Sequence, residues 1–509
     1  MKEYDADYAR NTEYTYGYCD ELSPLRMRLP LLAAGVALPE VVRACELGYG
    51  FGVSVNVHAA ASDVQWHGTD FNVAHAVFAR QLAQQGGVKA YLHDESFSEF
   101  GARAELPMFD FIGLHGVWSW VSDENRRLIT DFVRKHLRVG GVLYLSYNTL
   151  AGWAPMLPVR DLLFQHMRTA DASRSIQDRV DAATEYVKTL LSAQPGYMVA
   201  NTSVNERVQN LLAENASYLT HEYFTDSWKP MSFAEVLPDL EGAGLTYAGS
   251  ADLRDHFDEL NLRPSQQQLI SDTADVSLRE TVRDFCMNRS FRREYWVKSP
   301  RFLDADEKEA ALRETRVVLA VPGSIDSLDL RGALGTVRLH QQAFRQIVDV
   351  LGDHRPASLA EIDSRVRERG FSLSFAEIVK AVMLLAASGA LLTAEQDASI
   401  ESNRGRATRL NAAICERALV DERVQYLASP VSASAIFMPR LQQLFILART
   451  RGLTSPTQWA NFAAEILREF RGPANGAAAM KTPEELEAVA SRFSEVHLPV
   501  LIALGVVDP

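Results

Sequence analysis

A mostly apolar segment followed by three glycines at alternate positions is the feature that most restricts how this chain folds. Segment 41–47 leads into Gly48, Gly50 and Gly52, and a helical stretch begins at Val53. Glycine has no Cβ, so such a run turns sharply and lets a ligand lie against its backbone. The helix behind it points free N–H groups into the turn. The run therefore predicts a strand, a ligand-binding loop and a helix, in that order.

The alternation of short apolar segments with helical stretches continues to about residue 150. The predicted strands span 41–47, 65–69, 88–93, 109–114 and 141–147, and the predicted helices span 53–61, 73–85 and 123–136. This rhythm predicts an α/β fold, with a parallel sheet covered by helices on both faces. The pair Gly140-Gly141 is expected to end the third helix. Two later segments, 244–249 and 292–298, are expected to be the last strands of the same sheet.

The rest of the chain divides by its pattern into further units. Residues 1–300 are predicted to form the catalytic domain, with a helical insertion at about 158–240. Residues 301–398 alternate helices and a short strand in the order of a winged-helix-like domain, and 399–509 read as a mostly helical C-terminal domain. The winged-helix segment has no dense basic helix, which favours a packing module over DNA binding.

Composition restricts the partners that we expect. The net charge of −13 argues against nucleic acid, whose binding depends on Lys and Arg neutralising phosphates. The longest apolar stretch, 381–394, is too short to span a bilayer, and the polar N-terminus does not resemble a secretory signal, so we expect a cytoplasmic protein that binds no membrane. The four cysteines lie far apart, and no metal site is expected.

Two carboxylates near the glycine loop predict the ligand. Glu46 ends the first strand, where it would repel a pyrophosphate but suits a ligand with an ammonium and a sulfonium group. This favours S-adenosylmethionine (SAM) over a dinucleotide, as does Val53 in place of a further glycine. Asp70 ends the second strand and is interpreted as the acceptor for the ribose hydroxyls, with a helix N-cap as the alternative.

The ends of the third and fourth strands supply further candidates. Asp94 is predicted to accept from the adenine amino group with Phe97 or Phe71 on the ring, although a solvated loop fits Asp94 equally well. His115 is a candidate both for binding the methionine part of the cofactor and for catalysis, with a structural role as the alternative. Trp118 is a candidate for a wall of the acceptor pocket, and packing in the protein core is the alternative role.

Six segments together resemble the bacterial methyltransferases with a "methyltransferase regulatory domain", which include the rickettsial-type protein lysine methyltransferases. The segments are CELGYGFG (45–52), GTDFN (68–72), FDFIGLHGVWSWVS (109–122), GGVLYLSYNTLAGW (140–153), NASYLTHEYF (215–224) and LRETVRDFCMNRSFRREYWVK (278–298). The resemblance covers roughly residues 10–300, with the regulatory region at about 205–300. Tyr49 and Phe51 depart from the ELGCG pattern of well-known lysine-methylating members and mark a divergent branch.

The resemblance implies a class I, seven-stranded doubly wound sheet that binds SAM and releases S-adenosylhomocysteine. It implies a cofactor site that comprises Glu46, Gly48, Tyr49, Gly50, Gly52, Asp70, Phe71, Asp94, Glu95, Ser96 and His115. It also implies methyl transfer to an amino group of a protein lysine, and a homodimer.

The sequence predicts the residues that bind or activate the methyl acceptor less specifically than it predicts the cofactor site. Tyr16 and Tyr223 are candidate catalytic residues, and Tyr14 and His221 are candidate substrate-binding residues, with packing as the commoner role of a tyrosine. A small-molecule N- or O-methyltransferase and an inactive SAM-binding scaffold stay open as alternatives. The acceptor is thus a protein or a small molecule.

Overall fold

Seven strands form one sheet in the order β3-β2-β1-β4-β5-β7-β6 in a computed structural model of the protein. The structure describes residues 16–171, 173–213, 227–323, 325, 327–339, 342–469 and 482–509. The strands of this sheet are β1 Arg43–Leu47, β2 Gln65–Thr69, β3 Ala90–His93, β4 Phe109–Leu114, β5 Leu137–Asn148, β6 Leu245–Ser250 and β7 Phe291–Lys298.

The predicted sheet is confirmed, including its two late strands. Strands β1 to β5 run parallel to one another, whereas β7 runs antiparallel to both β5 and β6. Strand β4 is buried along its whole length, as expected for a central strand covered on both faces. The carboxyl ends of β1, β2, β3 and β4 therefore meet at one edge of the sheet, which is where ligands bind in such folds.

The helices account for most of the remaining described chain. They are Arg28–Ala33, Val53–Ala61, Val73–Gly86, Phe97–Gly101, Asp123–His136, Leu150–Trp153, Leu157–Thr169, Ile176–Ser192, Gly196–Ala200, Thr202–Ala213, Phe233–Gly242, Asp258–Asn261, Pro264–Asp272, Val276–Met287, Ala305–Glu314, Gln342–Val350, Leu359–Glu368, Phe375–Ala387, Asp397–Arg417, Arg440–Thr450, Pro456–Glu469, Pro483–Arg492 and Leu498–Ala503. Short helical turns lie at Asp20–Leu22, Ala154–Met156, Leu253–His256 and Phe493–His497.

The prediction that the glycine pair ends the helix before β5 is wrong. The helix ends at His136, and Leu137 is already extended and fully buried as the first residue of β5. Gly140 lies inside the strand with φ +78°, where the register against β4 is irregular. Burial of Leu137 in the core ends the helix, and the glycines accommodate the irregular strand that follows.

Four helices between residues 157 and 213 follow β5 and form the predicted helical insertion, with a hydrophobic core of their own. Further along, strands β8 Arg316–Leu319, β11 Ala357–Ser358 and β12 Leu391–Thr393 form a small antiparallel sheet in the order β11-β8-β12. Another core joins this sheet to the three helices between residues 342 and 387. The winged-helix interpretation of this unit stays a prediction.

Two hairpins lie where the sequence predicted helix or no element. Strand β9 Leu328–Gly332 pairs with β10 Gly335–Leu339, and β13 Tyr426–Ser429 pairs with β14 Ser434–Phe437. The second hairpin and the helix Asp397–Arg417 pack against the helix Val53–Ala61. All nine residues of the latter are buried, because the sheet covers one side of it and the C-terminal segment covers the other.

Candidate functional site

The three loop glycines all have left-handed backbone conformations. Their φ angles are +75° at Gly48, +56° at Gly50 and +68° at Gly52. The Gly48 N–H donates to the carbonyl of Thr69 at the end of β2, which ties the loop to the neighbouring strand. A Cβ on Gly48 would lie 2.6 Å from Val117 Cγ2 in the loop after β4. The loop is thus a cradle that requires glycine.

We expect Gly52→Ala to destabilise the protein by about 2 to 5 kcal/mol, since a left-handed residue and overpacking each cost a few kcal/mol. A Cβ at position 52 would lie 2.6 Å from the Cβ of Ala79, which has no side-chain torsion that moves this atom away. The helix Val53–Ala61 would have to shift. Calorimetric melting measures the effect.

Gly140→Ala is the matched control, because Gly140 is also left-handed but has no heavy atom within 4 Å of the added Cβ. Only the backbone strain of a left-handed L-residue is expected there, about 1 to 2 kcal/mol, without the overpacking at Gly52. Equal losses for the two variants would contradict the steric explanation.

Glu46 lies beside this cradle at the end of β1. Its side chain is only 4% exposed, and its Oε2 has no hydrogen-bond partner among the described residues. Burial, together with the charge of Asp70, raises the pKa of Glu46 from 4.5 to about 8. A buried carboxylate without a partner is unfavourable unless a ligand supplies one.

Asp70 is fixed by the loop and by the chain that follows it. Its Oδ2 accepts from the Gly50 N–H at 2.9 Å, and its Oδ1 accepts from the Asn72 N–H at 2.9 Å. Asn72, not Asp70, caps the helix Val73–Gly86 by accepting from the N–H of Ala74. The N-cap alternative for Asp70 is therefore wrong. Asp70 Oδ1 also lies 3.3 Å from His75 Nδ1, so Oδ2 is the oxygen that keeps a lone pair for a ligand.

Tyr49 crosses the end of β2 towards β3. Its hydroxyl donates to the carbonyl of His93 at 2.6 Å, and its ring lies where a side chain on Gly68 would be. Glycine at position 68 thus makes room for the tyrosine. Phe71, just beyond Asp70, is half-buried at the same edge of the sheet.

The three predicted adenine-side residues after β3 have different environments. Asp94 is largely exposed and pairs with Arg80 at 3.2 Å. Glu95 pairs with Arg103, and its Oε2 is buried without a partner among the described residues. Ser96 caps the helix Phe97–Gly101. Ser96 therefore has a structural role, whereas Glu95 has an unused acceptor.

His115, at the end of β4, lies in a polar cluster with Cys19, Glu21 and Tyr144, which we call the His115 cluster. His115 Nδ1 lies 2.9 Å from the Tyr144 hydroxyl and 3.2 Å from Cys19 Sγ, and the Cys19 thiol donates to Glu21 Oε2 at 3.2 Å. Sequence reasoning missed Cys19, Glu21 and Tyr144, because no local pattern marks them.

Protonation states in the His115 cluster follow from burial and from nearby arginines. Burial lowers the pKa of His115 and raises the pKa of Cys19 and Tyr144 well above their usual values. Burial alone would raise the pKa of Glu21, but the positive charges of Arg26 and Arg293 outweigh it and lower this pKa. The cluster therefore holds a neutral imidazole beside an ionised carboxylate.

The chain around residues 16–22 covers this edge of the sheet. The Cys19 N–H donates to Ser54 Oγ in the helix behind the loop. Tyr16 stacks on Phe51 at 3.9 Å between ring centroids, and Arg423 from the C-terminal segment lies over its other face at 4.4 Å. The structure thus places Tyr16 beside the glycine loop rather than in the His115 cluster.

The remaining acceptor-side candidates are not brought to the site. Trp118 has no exposed surface and lies in the core beneath the loop after β4. Tyr14, His221 and Tyr223 lie outside the described residues.

Within the described ranges, no group of three or more His, Cys, Asp or Glu side chains is arranged so that it could hold a metal ion, and none of the helices is both long and apolar enough to cross a bilayer.

Comparisons with known proteins extend over the whole chain. Residues 215–298 match the family model of the predicted methyltransferase regulatory domain. The uncharacterised protein sll1526 of Synechocystis sp. is 33% identical over 505 residues, which cover 98% of this chain and 99% of sll1526. The uncharacterised protein RP789 of Rickettsia prowazekii is 27% identical over 268 residues, covering 51% of this chain and 46% of RP789.

The fold is also that of a solved structure. PKMT2 from Rickettsia typhi in complex with AdoHcy matches with a TM-score of 0.71 and 16% identity, covering 97% of this chain and 100% of PKMT2. The regulatory-domain match, the relative that covers 98% of this chain and the shared fold are all consistent with a ligand-binding loop at Gly48, Gly50 and Gly52. This chain therefore belongs to one family with sll1526, carries the methyltransferase regulatory domain at residues 215–298, and has the α/β methyltransferase fold of PKMT2.

Proposed function

We propose that this protein binds SAM at the carboxyl ends of β1 and β2 and transfers its methyl group to an amino group of a protein lysine. The observation that carries the proposal is the unpartnered, buried Oε2 of Glu46 beside three left-handed glycines. A carboxylate in a cradle that excludes side chains suits a ligand with a positive charge and a close approach to the backbone.

The residues present fit the cofactor. Glu46 would hold the ammonium of the methionine end, and Asp70 would accept from a ribose hydroxyl through Oδ2. Phe71 and the unused oxygen of Glu95 would border the adenine. When bound, SAM supplies a methyl group on a sulfonium, so the protein mainly has to place an acceptor in line with it.

The His115 cluster supports an amine acceptor. The ionised Glu21 favours the approach of an ammonium group, and the neutral His115 adds no positive charge that would repel it. A lysine has a reference pKa of about 10.4, so it must lose a proton before it attacks. Burial near the cluster disfavours the charged amine and lowers that cost. The rickettsial-type resemblance of the motifs points to lysine rather than to another amine.

Two experiments test the proposal. Calorimetric titration with SAM or S-adenosylhomocysteine tests the cofactor, and absence of binding would overturn the proposal. Incubation with labelled SAM and cell lysate tests the acceptor. Label on a protein band that survives denaturation, mapped to lysine, supports the proposal, whereas label confined to a small-molecule fraction contradicts the lysine acceptor.

Within the proposed mechanism, we expect Tyr144→Phe to lower kcat for methyl transfer by roughly 10- to 100-fold, the range of a lost positioning hydrogen bond. The change removes the hydroxyl 2.9 Å from His115 Nδ1 and leaves the ring in place. SAM affinity should change little. Single-turnover transfer of labelled methyl measures the effect.

Tyr147→Phe is the matched control, since Tyr147 lies on the same strand and its hydroxyl donates to Glu294, away from the cluster. Its kcat should stay within about threefold of the parent protein, since no transition-state contact is removed. An equal loss of kcat in both variants would contradict a specific role of the Tyr144 hydroxyl, because loss of either buried hydroxyl would then lower kcat in the same way.

A further inference from the structure

A second concave site lies on the sheet face opposite the helix Val53–Ala61. The connection from β3 to β4 contains only the five-residue helix Phe97–Gly101. A groove of about 510 Å³ remains over β2 and β3, a volume within the range of small-ligand sites. It is lined by Arg43, Gln65, His67, Tyr91, His93, Arg103, Glu105, Leu106, Pro107, Met108 and Arg138.

The groove is basic although the protein is acidic. Three arginines and one glutamate line it, whereas the chain as a whole has a net charge of −13. Arg103 pairs with Glu95 and Glu105, and Arg138 pairs with Asp110.

The Arg43 guanidinium, in contrast, has no ion pair within the part of the chain that the structure describes. The carboxylates that pair with Arg103 and Arg138 offset the charge of these two arginines, so the charge in the groove that is available to an anion is that of Arg43.

His67 in the groove points independently to a ligand. Its side chain is only 8% exposed, and neither ring nitrogen has a hydrogen-bond partner among the described residues. Its ring stacks under Tyr91 at 4.6 Å with an interplanar angle of 14°. Tyr91 itself is 47% exposed, so its outer face is available for a further planar ring.

We propose that this groove binds a small anion that carries a planar ring, of the class of the nucleoside 5′-monophosphates. Its phosphate would bind Arg43 together with Arg138, and its base would stack on the outer face of Tyr91. His67 would complete its hydrogen bonds with the ligand when the Tyr91 ring shifts to accommodate it. This site is separate from the proposed SAM site, and the inference does not depend on that proposal.

Uridine 5′-monophosphate is a suitable probe, because it lacks the adenine that would direct it to a SAM site. Calorimetric titration of the full chain should show binding, with uridine alone and inorganic phosphate alone each at least about tenfold weaker, because each lacks one of the two contacts. Arg43→Gln should weaken binding by about tenfold or more, as expected for loss of a charged hydrogen bond. Tyr91→Leu should weaken it by a similar factor.

Arg127→Gln is the control, since Arg127 is exposed and lies outside the groove, and this variant should bind like the parent protein. Arg43 and Tyr91 are not fully buried, so both variants should fold, which melting curves check. Absence of binding at millimolar nucleotide, or binding unchanged in both Arg43→Gln and Tyr91→Leu, would overturn the proposal. Binding of inorganic phosphate as tightly as the nucleotide would also overturn it, since the planar ring would then contribute nothing.

Discussion

Glu46→Ala is expected to weaken SAM binding by roughly 100-fold, which corresponds to about 3 kcal/mol. Glu46 Oε2 is buried and unpartnered, so it is available to a cationic ligand that enters the loop. Alanine removes that acceptor and leaves the ligand ammonium unpaired in a site with little water. Calorimetric titration measures the loss. Glu40→Ala removes the same charge from an exposed position outside this edge of the sheet and should leave the affinity unchanged.

Glu46→Gln separates this binding role from the effect of Glu46 on stability. The pKa of Glu46 is raised from 4.5 to about 8 in the folded protein, which therefore binds the proton more tightly than the unfolded chain does. Stability of the parent protein should then fall as pH rises from about 4.5 to 8, a contribution that glutamine lacks.

Without cofactor, Glu46→Gln should therefore be more stable than the parent protein at pH 8, by a few kcal/mol at most, and similar to it at pH 5. Chemical denaturation at the two pH values tests this. If the stability difference between the two proteins does not change with pH, the carboxyl is not held protonated by its environment.

Arg292→Met is expected to destabilise the protein by at least 3 to 5 kcal/mol, the cost of breaking a buried ion pair from one side. The Arg292 guanidinium is buried and contacts Glu280 at 2.6 Å, Asp284 at 3.0 Å and Glu294. It links the helix Val276–Met287 to β7 within the regulatory-domain match. Methionine preserves much of the packing volume but leaves the carboxylates with less opposing charge.

The defect of Arg292→Met should shrink as pH falls. Burial already raises the pKa of Glu294 to about 7 despite the opposing effect of Arg292, and loss of the arginine raises it further. Protonation at low pH then removes the unpaired charge, so the stability that is lost at neutral pH returns on acidification. Calorimetric melting between pH 5 and 8 measures this trend.

Arg338→Met is the control, since its ion pair with Asp329 is largely exposed and worth at most about 1 kcal/mol. A loss for Arg292→Met as small as that of the control would show that the buried network does not stabilise this region.

The sheet and the cofactor loop were predictable from the chain because their signals are local. An apolar strand, alternate glycines and the helix at Val53 lie within a dozen residues, and the β1–β4 alternation brings Glu46 and Asp70 to one edge of a parallel sheet. The two late strands were predictable as strands, but the reversed direction of β7 depends on the connection from β6, which runs through the helices between residues 258 and 287.

The side chains proposed to meet the methyl acceptor were not predictable, because their contacts join residues that are far apart in the sequence. Cys19 and His115 are 96 residues apart, and Cys19 and Tyr144 are 125 residues apart, yet they form one cluster. Tyr16 was expected near the reaction but stacks on Phe51 beneath Arg423 of a distant segment. Trp118 was a candidate for a pocket wall, with packing as the alternative, and it lies in the core. Each outcome depends on which surfaces meet after folding.

The sequence alone determined that this chain builds a glycine-cradled site after the first strand of an α/β sheet, because strand period, helix period and glycine geometry act over a few residues. Only the tertiary structure decided that Glu46 is buried without a partner, that residues 16–22 cover the loop, and that His67 lies in a basic groove. Hydrophobic patterning specifies which side chains leave water, but the packing of distant segments specifies their neighbours and hence their charge states.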